Sequence, residues 1–166
     1  MRTKVQSQLE KIFKNHGSQE FGKICQIFLG LCLLRLKFQI QIFQLSGRPD
    51  IVAIRDDEGF AFEVKTTSGP SVTIKSDDID GVKGYSEHSI IAVQSFPDLE
   101  CNWILCQANK IRAGKWPIPL LKQYSLSALE KEVDNVFPEI LEESFDAALK
   151  GTQILYNKFT EVRERG

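Results

Sequence analysis

The spacing of apolar residues changes period twice in the first third of the chain. Val5, Leu9, Ile12 and Phe13 fall at i, i+4, i+7 and i+8, which predicts an amphipathic helix that stops at Gly17. Ser18 reads as the cap of a second helix, whose Phe21, Ile24, Cys25, Phe28, Leu29 and Cys32 make a core stripe. The period then drops to two. Over residues 37–44, Phe38, Ile40 and Ile42 alternate with Gln39, Gln41 and Phe43, as in a half-buried strand. The apolar run Ile51-Val52-Ala53-Ile54 and the segment 60–65 follow as two arms of a hairpin. Asp56-Asp57-Glu58-Gly59 between them reads as a four-residue loop, a length usually built around a type I turn.

Downstream, Thr66 to Pro70 reads as a loop and Val72-Thr73-Ile74 as a short strand. Ser76-Asp77-Asp78 opens a helix with acids at its positive end. Residues 89–95 and 102–107, rich in Ile, Val and Trp, complete a mixed sheet of about five strands. Lys110, Arg112 and Lys115 around Trp116 form either a basic-aromatic patch or a solvated loop. Pro117 and Pro119 mark the passage to an all-helical end, where Ser127-Ala128-Leu129-Glu130 fits a capping box. From 138 to about 164, Ile140, Leu141, Phe145, Leu149, Ile154, Leu155 and Phe159 predict one long helix, with Gly151-Thr152 as its one point of interruption. At 1.5 Å per residue it would run roughly 40 Å, longer than a small core covers. Two uses are open to it: pairing with a second subunit as a homodimer, or folding back along the sheet.

The chain of 166 residues is long enough for one compact domain. Its net charge of -1 does not advertise a nucleic-acid binder. Divided at 124, the picture changes. Residues 1–124 carry 16 Lys+Arg against 13 Asp+Glu, and residues 125–166 carry 5 against 9, so a mildly basic α/β core precedes an acidic helical extension. Cys25, Cys32, Cys101 and Cys106 show no C-x-x-C spacing and the only histidines are His16 and His88, which points away from zinc and toward reduced thiols in a cytoplasmic protein. The longest apolar stretch, residues 24–34, is shorter than the ~20 residues of a membrane span. Met1-Arg2-Thr3-Lys4 leads into an amphipathic pattern instead of a signal peptide.

The chemistry concentrates between Gly47 and Thr67. Side chains at i and i+2 of a strand share a face, so Glu63 and Lys65 point one way while Val64 points into the core. With the four-residue loop, Arg55 pairs with Phe60 and Asp50 with Lys65. Asp50, Glu63 and Lys65 then converge, the diagonal neighbours roughly 7–8 Å apart. Two carboxylates at that separation, with the Val64 carbonyl between them, offer oxygen ligands to one hard cation. The alternative is a solvated hairpin, since E-V-K is a common pattern on an exposed sheet face and Asp after Pro is an ordinary turn opener.

Pro49-Asp50 followed by Glu63-Val64-Lys65 resembles the PD-(D/E)xK nuclease superfamily. Gly17-Ser18-Gln19-Glu20-Phe21 ahead of an apolar helix and a hairpin is similar to the opening of its archaeal Holliday-junction resolvase-like branch. The resemblance spans roughly residues 17–110 on four or five specific positions. It implies a restriction-endonuclease-like α/β fold, a central mixed β-sheet flanked by helices, here with a C-terminal helical extension. It also implies Mg²⁺, with Mn²⁺ as a substitute, held by Asp50 and Glu63 for hydrolysis of DNA. Lys65 would position or stabilise the attacking water, and Glu20 would add a ligand or orient water. The helix dipole also favours an acid at Glu20 for purely structural reasons. Arg48, Lys75 and Lys83 flank the motif as candidate phosphate contacts, with solvated surface as the alternative. A non-catalytic module that keeps the fold and binds partners through its helical tail is the competing function.

Overall fold

The computed structural model describes residues 1–43, 47–96 and 98–166. Two helices open the chain, α1 (Lys4–His16) and α2 (Ser18–Arg35). Gly17 separates them, its N–H donating to the Phe13 carbonyl at 2.8 Å. Ser18 is the first residue of α2 and not its cap; Gly17 holds that position with no side-chain hydrogen bond. Strands β1 (Gln39–Ile42), β2 (Ile51–Arg55) and β3 (Glu58–Thr67) form an antiparallel meander. The expected end of the first strand, Gln44, lies outside the described residues.

From β3 the chain passes through β4 (Ser71–Ile74) and α3 (Ser76–Val82) to β5 (His88–Ser95), which pairs parallel to β3. Such a parallel pair needs a crossover, and α3 provides it. β6 (Trp103–Gln107) then runs antiparallel to β5, giving one five-stranded mixed sheet in the order β1-β2-β3-β5-β6. β4 is not part of that sheet. It pairs with β7 (Gly114–Pro117) in a separate two-stranded ribbon, so the segment around Trp116 is a strand where a loop was expected. A short helix, α4 (Ile118–Leu121), leads from the ribbon to α5 (Ser127–Lys150) and α6 (Thr152–Arg165).

The sheet has an apolar layer on each face. On one, Phe60, Phe62 and Val64 of β3 and Ile90 and Ala92 of β5 pack against α1, α2, α5 and α6. On the other, Ala61, Ile91 and Val93 pack against β4, α3 and α4. Burial on both faces explains why β5 reads as a nearly continuous apolar run. Gly30 permits the close approach on the first face: a Cβ there would sit 2.9 Å from Ile42 Cδ1 and 3.2 Å from Phe159.

The helical end is two helices, divided at the Gly151-Thr152 interruption that the sequence offers. α5 begins at Ser127 and runs straight through Pro138, because Leu129, Val133, Phe137, Ile140 and Leu141 form one buried stripe across it. Burial of that stripe outweighs the roughly 3 kcal/mol that an interior proline costs. Ser127 caps nothing, and Glu130 instead accepts the Leu105 N–H of β6 at 3.0 Å. Gly151, at φ 127°, ends α5, and α6 folds back against α2 and α5. Folding back is thus the observed use of the long apolar stripe. Among the described residues no helix is long and apolar enough to cross a membrane, and all four cysteines are buried and free.

Candidate metal centre

The hairpin that carries the acidic pair is tighter than the sequence suggested. Its turn has two residues, Asp56 and Asp57, both left-handed at φ 53° and 64°, and Arg55 pairs with Glu58. This is the backbone of a type I′ turn, which follows strand twist and which aspartate tolerates better than most residues. The expected pairing of Asp50 with Lys65 is therefore wrong by two positions. The last ladder pair is Ile51 with Phe62, so Asp50 comes alongside Glu63. A shift of two preserves the face, because side chains alternate with period two.

Asp50 sits just before β2, with its N–H donating to the Phe62 carbonyl at 2.9 Å. Its Oδ2 accepts the Val64 N–H at 2.8 Å, which ties the carboxylate to the backbone of β3. Glu63 and Asp50 lie side by side and each shifts the titration of the other in the absence of a cation. Burial raises Asp50 above the ordinary aspartate range, against the pull of the Val64 N–H. Glu63 is pushed up to about 8, first by burial and then by the charges of Asp50 and Asp78, with Lys65 opposing. Two neighbouring carboxyls that hold a proton near neutrality form a site short of positive charge.

Lys65 shares the face of Glu63, and its Nζ lies 2.9 Å from Asp78 Oδ1. Asp78 belongs to the first turn of α3, and its Oδ2 accepts the Lys75 N–H at 2.8 Å. The sequence marks this residue only as an acid favoured by the helix dipole. Its contact with Lys65 spans a chain reversal that no local spacing announces. Asp50, Glu63, Lys65 and Asp78 therefore form one charged cluster on the α3 face of the sheet.

The other candidates lie elsewhere. Glu20 turns toward the C-terminal helices: its Oε1 accepts the Thr152 N–H at 3.2 Å and also the Thr152 hydroxyl, holding the start of α6. Arg48 is exposed two residues before Asp50, its guanidinium 5.6 Å from the centre of the Phe43 ring. Lys75 is exposed beside Asp78, and Lys83 is exposed at the far end of α3, where it lines a depression with Gly84, Glu87 and His88. A second group with metal-ligating chemistry, not foreseen, occupies that far end: Glu58, Glu87 and His88 bring ligand atoms within 4.8 Å of one another. His88 Nε2 lies 2.8 Å from Glu58 Oε2, and its ring stacks on Phe60. The adjacent Glu87-His88 pair was its one sequence signal.

Asp50 and Glu63 offer oxygen donors only, as a hard divalent cation requires, and the register of β2 and β3 sets the two carboxyl groups side by side.

No family model matches the chain, and no curated protein matches it. Among solved structures it is similar to the Archaeoglobus fulgidus Hjc, a Holliday junction resolvase from an archaeal hyperthermophile. The TM-score is 0.50 at 14% identity, over 61% of this chain and 88% of that one. The fold is accordingly a restriction-endonuclease-like α/β fold with a central mixed sheet flanked by helices and a C-terminal helical part.

Proposed function

We propose that the protein is a nuclease that hydrolyses DNA phosphodiester bonds with Mg²⁺ held by Asp50 and Glu63, the Val64 carbonyl serving as a third ligand. The observation that carries this reading is the locking of Asp50 beside Glu63 by the Val64 N–H, with Lys65 on the same face. The likeness in fold to a Holliday junction resolvase supports it. A divalent cation at this position supplies Lewis-acid polarisation of a phosphate and a water of lowered pKa, and Mn²⁺ serves in its place.

The protein groups supply the rest. Asp50 cannot swing away from the site, because its second oxygen is held by the β3 backbone. Lys65 presents a compact ammonium to the charge that develops on the phosphate. Asp78 holds that ammonium at 2.9 Å and is itself tied back to the Lys75 N–H, so Lys65 is oriented by α3. Glu20 stands outside this set as an anchor of α6. The buried free cysteines support a reducing, cytoplasmic setting. Self-association through α6 is a further part of the proposal, supported by its exposed Ile154 and Val162.

The test is a panel of linear, branched and single-stranded DNA incubated with Mg²⁺, Mn²⁺ or chelator. Cleavage by the wild-type chain that requires metal and disappears in Asp50→Asn and Glu63→Gln is the expected result. Cleavage that persists in chelator, or in Glu63→Gln, refutes the metal mechanism. A folded chain that cleaves none of the substrates favours the non-catalytic module.

A further inference from the structure

We propose that the β4–β7 ribbon is the surface on which the phosphate backbone of a nucleic acid lies as it runs past the acidic pair. The inference rests on the nuclease reading above for the identity of the polymer, and on charge and topology for its place.

The charge evidence is in two stretches of chain that the fold brings together. Residues 64–76, which contain β4, and residues 101–129, which contain β7, hold Lys65, Lys75, Lys110, Arg112, Lys115 and Lys122. Between them they carry six of the 21 Lys+Arg and none of the 22 Asp+Glu. Everything outside these stretches is strongly acidic on balance. A concentration of one sign in a chain of net charge -1 is the electrostatic footprint of an anionic partner.

The ribbon is also built as a platform. Val72 and Ile74 of β4 are buried and pack with Ile111, Ile118 and Leu121 on the outer layer of the sheet, which fixes the ribbon to the body. The intervening side chains face solvent. Thr73 and Lys75 are exposed, Thr73 lies directly opposite exposed Lys115, and Lys110 and Arg112 are exposed just before β7. The Trp116 indole N–H donates to the Arg112 carbonyl at 2.8 Å, and this closes the turn that presents Arg112. None of Lys75, Lys110, Arg112 and Lys115 is in an ion pair among the described residues, whereas Lys65 is paired with Asp78. Lys122 lies beside Asp98 and Glu100 and is left out of the surface.

The ribbon is continuous with the site. Thr67 at the end of β3 donates its hydroxyl to the Ser71 carbonyl at 2.8 Å, and the Ile118 N–H donates to the Pro70 carbonyl at 3.1 Å. Lys75 is one hydrogen bond from Asp78, which holds Lys65. A polymer whose scissile phosphate sits at Asp50 and Glu63 can continue across this face, where the ribbon offers cations and a hydroxyl, and the acid at the junction, Asp78, is paired with Lys65. Asp77, exposed in the first turn of α3, is the acid that follows Lys75 along the chain.

The experiment removes the same charge in two places. In one full-length variant Lys110, Arg112 and Lys115 become Ala; in the other, Lys14, Lys131 and Lys150, exposed on α1 and α5, become Ala. Binding of a fluorescein-labelled DNA duplex is measured by anisotropy in chelator over a salt series, with an RNA duplex as a parallel arm. Each lost phosphate contact lowers the slope of log K against log salt by about 0.9, so the ribbon variant is expected to lose about 2–3 from the slope and at least tenfold in affinity at low salt. The control variant is expected to keep the wild-type slope, and both are expected to keep the wild-type melting temperature. Equal loss in the two variants, a wild-type slope in the ribbon variant, or no binding of either duplex overturns the proposal. The nuclease reading fails separately: a chain that cleaves nothing with Mg²⁺ yet binds through the ribbon leaves this inference standing.

Discussion

Removing the charge of Glu63 should stabilise the metal-free protein at alkaline pH. Its carboxyl moves from an ordinary 4.5 to about 8 in the folded chain, so between those values the native state binds a proton that the unfolded state does not. Stability then falls as pH rises through that window, and the loss is complete above the folded value. At 1.36 kcal/mol per unit the shift bounds the loss at about 5 kcal/mol. Solvent screening of a half-buried carboxyl reduces it to about 1–2 kcal/mol. Glu63→Gln carries no such titration. In chelator it should match the wild type near its acid limit and exceed it by about 1–2 kcal/mol at about pH 9, or 2–4 °C in melting temperature for each kcal/mol in a chain of this size.

Asp50 behaves differently, because its Oδ2 is the acceptor for the Val64 N–H. Asp50→Asn keeps that acceptor and should remain well folded. Asp50→Ala strands the N–H at a cost of about 1–2 kcal/mol, which offsets the relief of repulsion. Adding Mg²⁺ should reverse the sign of the pH effect in the wild type, since the cation competes with the proton on Glu63 and stabilises more as pH rises. Melting curves in chelator and in Mg²⁺ across the window are the assay. A Glu63→Gln curve that falls with pH in parallel with the wild type, or lies below it at high pH, refutes the picture of a strained carboxyl pair.

Lys65→Ala should cut single-turnover cleavage by about 10²–10³ with Mg²⁺ binding intact by calorimetry, and Lys65→Arg should not restore it. Asp78→Asn keeps the acceptor for the Lys75 N–H but loses the charge that orients Lys65, so kcat should fall about tenfold at constant KM; an unchanged kcat removes Asp78 from the mechanism. Glu20→Ala should lower stability by about 0.5–1 kcal/mol through the lost hold on Thr152 and leave cleavage within a few-fold, whereas abolished cleavage at an unchanged melting temperature returns Glu20 to the catalytic set. Asp134, pushed up to about 7 first by burial, accepts the Trp103 N–H at 2.8 Å. Stability is expected to drop from its cost as pH rises from about 4 through 7, and Asp134→Asn, which keeps the acceptor, should flatten that drop in thermal melts.

What the sequence disclosed about this fold divides by the range of the forces involved. α1, α2 and β1 are each specified by a period that a single element imposes on its own residues, β5 and β6 by runs rich in Ile, Val and Trp, and they lie where those local signals put them. The hairpin register was missed by two because Asp56-Asp57 lacks the Gly that usually marks a two-residue turn, yet both candidate turns send Asp50, Glu63 and Lys65 to the same face. β7 went unseen for a different reason. Gly114 and Pro117 are poor strand residues, and the segment is extended because β4, about 40 residues upstream, supplies its hydrogen bonds. Asp78 is hidden in the same way: only the docking of α3 brings it to Lys65.

The acidity of residues 125–166 has a physical explanation in the fold. Glu130 and Asp134 accept the Leu105 and Trp103 N–H groups of β6, the sheet edge that would otherwise present unpaired donors. Glu132 clasps Arg55 with both oxygens, at 2.8 and 2.9 Å. Glu139 and Glu143 meet Arg35, and Glu142 meets Lys4 and Gln8. Six of the nine acids in this stretch thus bind the helical end to the body of the same chain. Individually the exposed pairs are worth little; together they set the acids of the helical end against cations of the same chain. The helices α1, α2, α5 and α6 carry 10 Lys+Arg against 11 Asp+Glu, so the acids of the helical end are balanced by cations of the same side. The opposite side differs locally: Lys75, Lys110, Arg112 and Lys115 stand exposed around the ribbon with no ion pair among the described residues, so a net charge of -1 is compatible with an anionic partner held at that patch.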